Sequence, residues 1–171
     1  MRHALGLIAI GTLVAGCAGM SPSGPTAVAD LAPTAGNAVK GIVTFTQKGD
    51  KVVVVGKVSG LATGAHGFHI HEKGDCNSTD GMSAGGHFNP MSKPHAHPST
   101  MDRHAGDMPM LTADSAGNAT LTAELDVITI GSGVADVVGK GVIVHKDPDD
   151  FKTQPTGNSG ARLACGVIRK S

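Results

Sequence analysis

At 171 residues the chain is long enough for one domain with a full core and too short for two comfortable ones. Its 14 lysines and arginines balance 14 aspartates and glutamates, so it carries no field with which to hold a nucleic acid or an anionic bilayer surface. With neither tryptophan nor tyrosine and only four phenylalanines, it has almost nothing on which to stack a base or a sugar ring.

In chain order, the first segment is MRHALGLIAIGTLVAGC: a basic start, an apolar run too short for a mature membrane span, and small residues ahead of Cys17. It reads as an export signal over 1–16. Val14-Ala15-Gly16-Cys17 resembles the bacterial lipobox, in which the cysteine becomes a lipid-bearing N-terminus; the alternative is an ordinary secretory signal cleaved nearby, with Cys17 incidental. The expected location is the periplasmic side of a bacterial cell envelope, with the membrane contacted through that lipid alone. Residues 17–36, rich in proline, glycine, serine and alanine, read as a flexible tether, and 37–171 as the domain.

From Asn37 onward short β-rich runs alternate with turns. VKGIVTFTQ and KVVVVGKVSG flank Lys48-Gly49-Asp50, a hairpin signal. HGFHIHE, ATLTAELDVITI, GKGVIVHK and RLACGVI are further strand candidates, and a turn is expected at Asp114-Ser115-Ala116-Gly117-Asn118. Sustained helical periodicity is missing, which points to an all-β antiparallel sandwich or flattened barrel. Residues 77–110 break the rhythm with histidine, proline, glycine, methionine and aspartate. A loop of that length in a compact domain needs a reason for order, and a metal supplies one.

Along FHIH successive side chains alternate, so His69 and His71 share one face and Phe68 and Ile70 the other. A half-exposed strand that carries histidine on its polar face is the plain alternative. The loop HFNPMSKPHAHPSTMDRHAGD adds His87, His95, His97, His104 and Asp107, and the strand GVIVH ends on His145. Imidazoles with one carboxylate form a set that zinc accepts, and the count exceeds one tetrahedral site, so two metals are expected. Lipidation of Cys17 leaves Cys76 and Cys165 in an oxidising compartment, where they are expected to pair; two free buried thiols are the competing reading.

Taken in order, GFHIHEKGD, GGHFNP, RHAGD and GNSGARLACGVI resemble the copper,zinc superoxide dismutase family over about residues 39–168. The resemblance implies a Greek-key antiparallel β-barrel of about eight strands, immunoglobulin-like, with long metal-binding and channel loops. It implies copper on His69, His71, His87 and His145 and zinc on His87, His95, His104 and Asp107, one of each metal per chain, with His87 bridging them. His97 falls outside that pattern. Arg162 matches an arginine beside the copper, where a guanidinium offers paired donors to a small anion. Asp149 matches an aspartate between the outer nitrogens of His69 and His95, which fixes ring orientation. His66 matches a histidine that forms hydrogen bonds and holds no metal. A Cys76–Cys165 disulfide would anchor the segment of Arg162 to the loop after His71. The implied activity is conversion of superoxide to dioxygen and hydrogen peroxide by copper redox cycling, in a monomer or homodimer, protecting the envelope.

Cys76 directly follows HEKGD, as in the bacterial branch of the family, and NSTDGMSAGG then reads as an insertion. Pro155 stands where many eukaryotic members carry a substrate-steering lysine, so Lys152 or Lys73 is expected to take that part. Met82, Met91, Met101, Met108 and Met110 crowd the same region, and thioethers bind Cu(I). They motivate a second reading, a periplasmic copper and zinc binding or delivery protein on the same scaffold.

Overall fold

The computed structural model describes residues 24–171. Within them the chain forms β1 (Thr26–Pro33), β2 (Lys40–Lys48), β3 (Lys51–Ser59), β4 (Gly64–His66), β5 (Phe68–His71), β6 (Leu111–Ala113), β7 (Ala119–Leu125), β8 (Gly141–His145), β9 (Arg162–Val167) and β10 (Arg169–Lys170), with one 3-10 turn at Met82–Ala84. The valine run shows how the pattern works. In β3, Val52, Val54 and Val58 are buried while Lys51 and Lys57 stand in solvent, the period of a sheet with one face on a core. In β2, Val43 and Phe45 do the same. The two strands meet through a two-residue turn at Gly49-Asp50, with Lys48 opposite Lys51 and Gly49 at a φ of 61°.

The main sheet is antiparallel and curled, in the order β5-β8-β9-β1-β2-β3-β7, with β10 also paired to β1 and β4–β6 forming a separate ribbon. Its non-sequential neighbours are those of a Greek-key barrel. One core runs through it, from Phe45 and Leu125 to Phe68, Ile70, Val142 and Ile168. On the outer side of β8, Ile143 packs with Ala84 and the cysteine pair in a smaller cluster. That pair, Cys76 and Cys165, is joined in a disulfide with Cα atoms 5.7 Å apart, as cysteine parity led one to expect.

Three elements differ from the sequence reading. Residues 26–33, taken there as part of the tether, form β1 between β2 and β9. Ala27, Ala29 and Leu31 alternate inward, but two of those side chains are single methyl groups, too small to register as an apolar period. HGFHIHE is two strands rather than one: β4 pairs with β6 and β5 with β8. The break falls at Gly67, where a Cβ would lie 2.6 Å from Ser159 Oγ and 3.3 Å from His145 Cβ, so only glycine fits. ATLTAELDVITI ends its pairing at Leu125, after which Ile128 and Ile130 are buried without a strand. The export signal and Cys17 lie outside the described residues.

β5 is the first strand of the sheet order, yet its outer edge is not bare. The Phe88 N–H donates to the Ile70 carbonyl at 2.8 Å, the Ile70 N–H to Gly106 at 2.9 Å and the Glu72 N–H to Gly86 at 2.9 Å. The two histidine-bearing ends of the long loop are thereby zipped onto the strand that carries His69 and His71.

Candidate metal centre

Phe68 and Ile70 point into the core, so β5 must turn His69 and His71 to its outer side. His145, at the end of β8 and just past a bulge after Val144, reaches the same side. The loop returns His87 opposite His71 and Asp107 opposite His69. Two buried groups result, His69 with His71, His87 and His145, and His87 with His95, His104 and Asp107, each with its donor atoms within 4.8 Å of one another. His87 belongs to both. His97 belongs to neither: it is exposed, with Nδ1 2.8 Å from Ser99 Oγ.

The hydrogen bonds fix which nitrogen each ring turns inward. His71 Nδ1 donates to the Gly85 carbonyl at 2.9 Å and His145 Nδ1 lies 3.3 Å from that of Gly160, which leaves their Nε2 atoms facing each other at 3.4 Å. Nε2 of His69 is taken by Asp149 at 2.6 Å, so its Nδ1 is buried with no partner, and His87 Nε2 is likewise buried and unpaired. In the other group, Nδ1 of His87 and of His95 lie 3.0 and 2.9 Å from Asp107 Oδ1, and His104 Nδ1 lies 3.3 Å from His87 Nδ1. A tetrahedron with bonds of about 2.05 Å has edges of about 3.3 Å. Lone pairs that converge at that spacing, away from water, repel unless a cation lies between them.

Electrostatics agree. Burial pushes His71 and His145 well below the ordinary imidazole value, and the neighbouring imidazoles and Arg162 push the same way. Burial also lowers His69, against the opposing pull of Asp149, and takes His87 down to about 3. All four are neutral at pH 7, the state in which imidazole ligates a metal. His95 differs. Burial works against its charge, but hydrogen bonds to the carboxylates of Asp107 and Asp149 outweigh it and raise the ring to about 9. Burial raises both carboxyls too, yet their histidine partners hold Asp107 and Asp149 far below the usual carboxylate range. A proton between two buried carboxylates therefore occupies the place of a cation, and must leave when one binds.

Around the clusters the sequence-chosen residues converge. Asp149 joins His69 Nε2 at 2.6 Å to His95 Nε2 at 2.9 Å. Arg162 donates from Nη1 to the Gly81 carbonyl at 2.8 Å and from Nη2 to that of Gly85 at 2.6 Å. Gly81 and Gly85 flank the 3-10 turn, each with a φ of 74°, so the segment read as an insertion is what aims the guanidinium. His66 has its ring nitrogens 3.0 and 2.9 Å from the carbonyls of His145 and Ala62 and lies outside both groups. Sequence reasoning missed Met110 in this setting. Its sulfur accepts the Asp149 N–H at 3.3 Å, and no local pattern distinguishes that methionine from Met108, which is buried in the core.

The donor chemistry, imidazoles with one carboxylate and two unpaired buried nitrogens, fits a pair of transition-metal cations that share His87. Comparison with known proteins points the same way. A crystal structure described as that of the clock protein EA4 matches with a TM-score of 0.77 at 36% sequence identity, covering 90% of this chain and 99% of that one. The family model for copper/zinc superoxide dismutase matches residues 39–168, the span that holds every residue of both clusters, and by that match the chain belongs to the copper/zinc superoxide dismutase family.

Proposed function

We propose that the protein disproportionates superoxide: two superoxide anions and two protons give one dioxygen and one hydrogen peroxide. The observation that carries this reading is the pair of buried donor clusters sharing His87, with Arg162 close enough to depress His71 and His145. His69, His71, His87 and His145 would hold copper, and His87, His95, His104 and Asp107 zinc. Copper supplies one-electron exchange between two oxidation states and zinc a fixed positive charge.

The chain's own residues do the rest. Arg162 binds the small anion with a guanidinium whose terminal nitrogens are held on two carbonyls, so its orientation is set before substrate arrives. His87 turns Nε2 toward the first cluster and Nδ1 toward the second. Nε2 is thus the atom at which the chain can hold a proton when it is not a ligand and pass it to the developing peroxide. Asp149 fixes the rings of His69 and His95 from behind.

The delivery-protein reading is weaker on one observation. Its methionines do not form a single soft site: Met108 is buried in the core, Met110 accepts an amide N–H, and Met101 is 92% exposed. We further propose export by residues 1–16, a lipid on Cys17 and a place on the periplasmic side of the envelope. The signal pattern and the Cys76–Cys165 disulfide support that location.

The test is superoxide disproportionation by the metal-loaded protein beside His145→Ala, with a metal count. The expected result is fast turnover lost in the variant, with copper lost and zinc kept. Full loading with negligible turnover in the wild type refutes the enzyme reading and favours delivery.

A further inference from the structure

His95 is 2% exposed and lies in the long loop outside any strand, so its main-chain N–H and C=O need partners. The Gln154 side chain supplies both. The His95 N–H donates to Gln154 Oε1 at 2.8 Å, and Gln154 Nε2 donates to the His95 carbonyl at 2.8 Å. One amide group thus reproduces the two-bond pairing of a strand neighbour, from 59 residues away. The same amide is steadied by the Lys152 carbonyl, which accepts from Nε2 at 3.3 Å.

The rest of the segment 149–154 follows suit. Asp149 Oδ1 reaches His95 Nε2, and the Phe151 ring stacks on His95 at 6.4 Å and meets His97 edge-on at 4.6 Å. Phe151 holds a φ of 55°, a conformation costly to a residue with a side chain and kept only where surroundings over-determine it. The ring of His95 is gripped by carboxylates at both nitrogens, but where the ring stands depends on where its backbone stands.

We propose that Gln154 is a positioning residue for the zinc cluster: its amide clamps the backbone of His95 and so sets where His95 Nδ1 meets Asp107. The proposal rests on the reading that His95 is a zinc ligand. Gln154 touches none of the cluster atoms, so its effect is on how firmly zinc is kept.

The experiment measures zinc release from the metal-loaded protein into excess chromogenic chelator, for wild type, Gln154→Leu and Gln154→Glu, with amide hydrogen exchange at His95. Leucine removes both bonds, and zinc release is expected to quicken roughly thirtyfold, the factor that about two neutral hydrogen bonds carry. Glutamate keeps an acceptor for the His95 N–H and loses the donor, so release quickens about fivefold. The His95 amide exchanges faster in the leucine variant alone, and the core amides of Val43 and Ile143 are unchanged in both. Release within twofold of wild type in both variants, from a wild type that holds one zinc, overturns the clamp and leaves the zinc reading standing. A wild type that takes up no zinc overturns both.

Discussion

Gly157 lies against the contact between Asp149 and His95, and replacing it with alanine tests that bridge with a single methyl group. Its φ is 66°, and a Cβ would fall 2.6 Å from both Asp149 Cγ and His95 Nε2, with Asp149 Oδ1 nearer still. Ordinary contact begins near 3.4 Å, so the carboxylate carbon has to retreat by about 0.8 Å and the nearer Oδ1 by more. That retreat stretches the 2.9 Å bond to His95 past hydrogen-bonding range. Losing one charge-assisted bond costs about 1.5–3 kcal/mol. The left-handed backbone costs a residue with a Cβ a further ~1–2 kcal/mol. Gly36→Ala isolates the second contribution, because Gly36 has a φ of 78° and nothing within 4 Å of its would-be Cβ. Scanning calorimetry on the metal-loaded variants is expected to place the Gly157→Ala midpoint about 4–8 °C below that of Gly36→Ala. Zinc affinity, read by competition with a chelator, is expected to fall about 10–100-fold in the Gly157 variant alone. Equal midpoints and equal zinc affinities in the two variants would refute the reasoning.

Replacing Cys76 and Cys165 together with serine opens a loop of 89 residues, worth on the order of 4–5 kcal/mol in the unfolded chain, and a denaturant titration under oxidising conditions should show most of that loss. The same variant frees the turn that presents Gly81 and Gly85, so azide, a small anion read by the visible spectrum of the copper-loaded protein, is expected to bind more weakly. Asp126 is held below its ordinary 3.8 by the hydrogen bond from Arg103. The stability it contributes is therefore present above pH 3.8 and lost as pH falls through the lower, folded value. The unfolding free energies of wild type and Asp126→Asn from urea titration should differ at pH 6 by under about 1 kcal/mol, since the aspartate is 63% exposed, and converge at the acid end. Lys73 and Lys152 are exposed, and changing both to glutamine is expected to slow turnover about twofold at low salt and flatten its dependence on ionic strength. An unchanged rate and slope would remove them as steering charges.

Much of the site was legible because metal chemistry leaves a mark in residue type and spacing. His69 and His71 on alternate positions, and His87, His95, His104 and Asp107 in one loop, mark metal chemistry by residue type, while their division into two groups is what the resemblance to the family implies. The strands of the core were legible for a related reason: Val52, Val54 and Val58 are large enough to print a period of two. β1 was not, since Ala27 and Ala29 bury as deeply with far less apolar area, and its partners β2, β9 and β10 are reached only through the fold. Gln154, Met110 and Gly157 belong to a third class. They act through backbone amides or through the absence of a side chain, Met110 across 39 residues of sequence and Gln154 across 59, and neither composition nor spacing carries such information. The break at Gly67 has the same origin, in a close approach by Ser159 that exists only once the chain is folded.

The zipping of residues 86–88 and 106 onto β5 also bears on what happens when the centre is emptied. Those residues border His87 and Asp107, so a loop that loosens when cations are withdrawn lets go of the strand edge as well. An uncovered edge offers a row of free N–H and C=O groups to any other chain, the template on which separate molecules join into fibrils and aggregates. In this fold the long loop covers that edge, and under the two-metal reading withdrawal of the cations would lay it open to another chain.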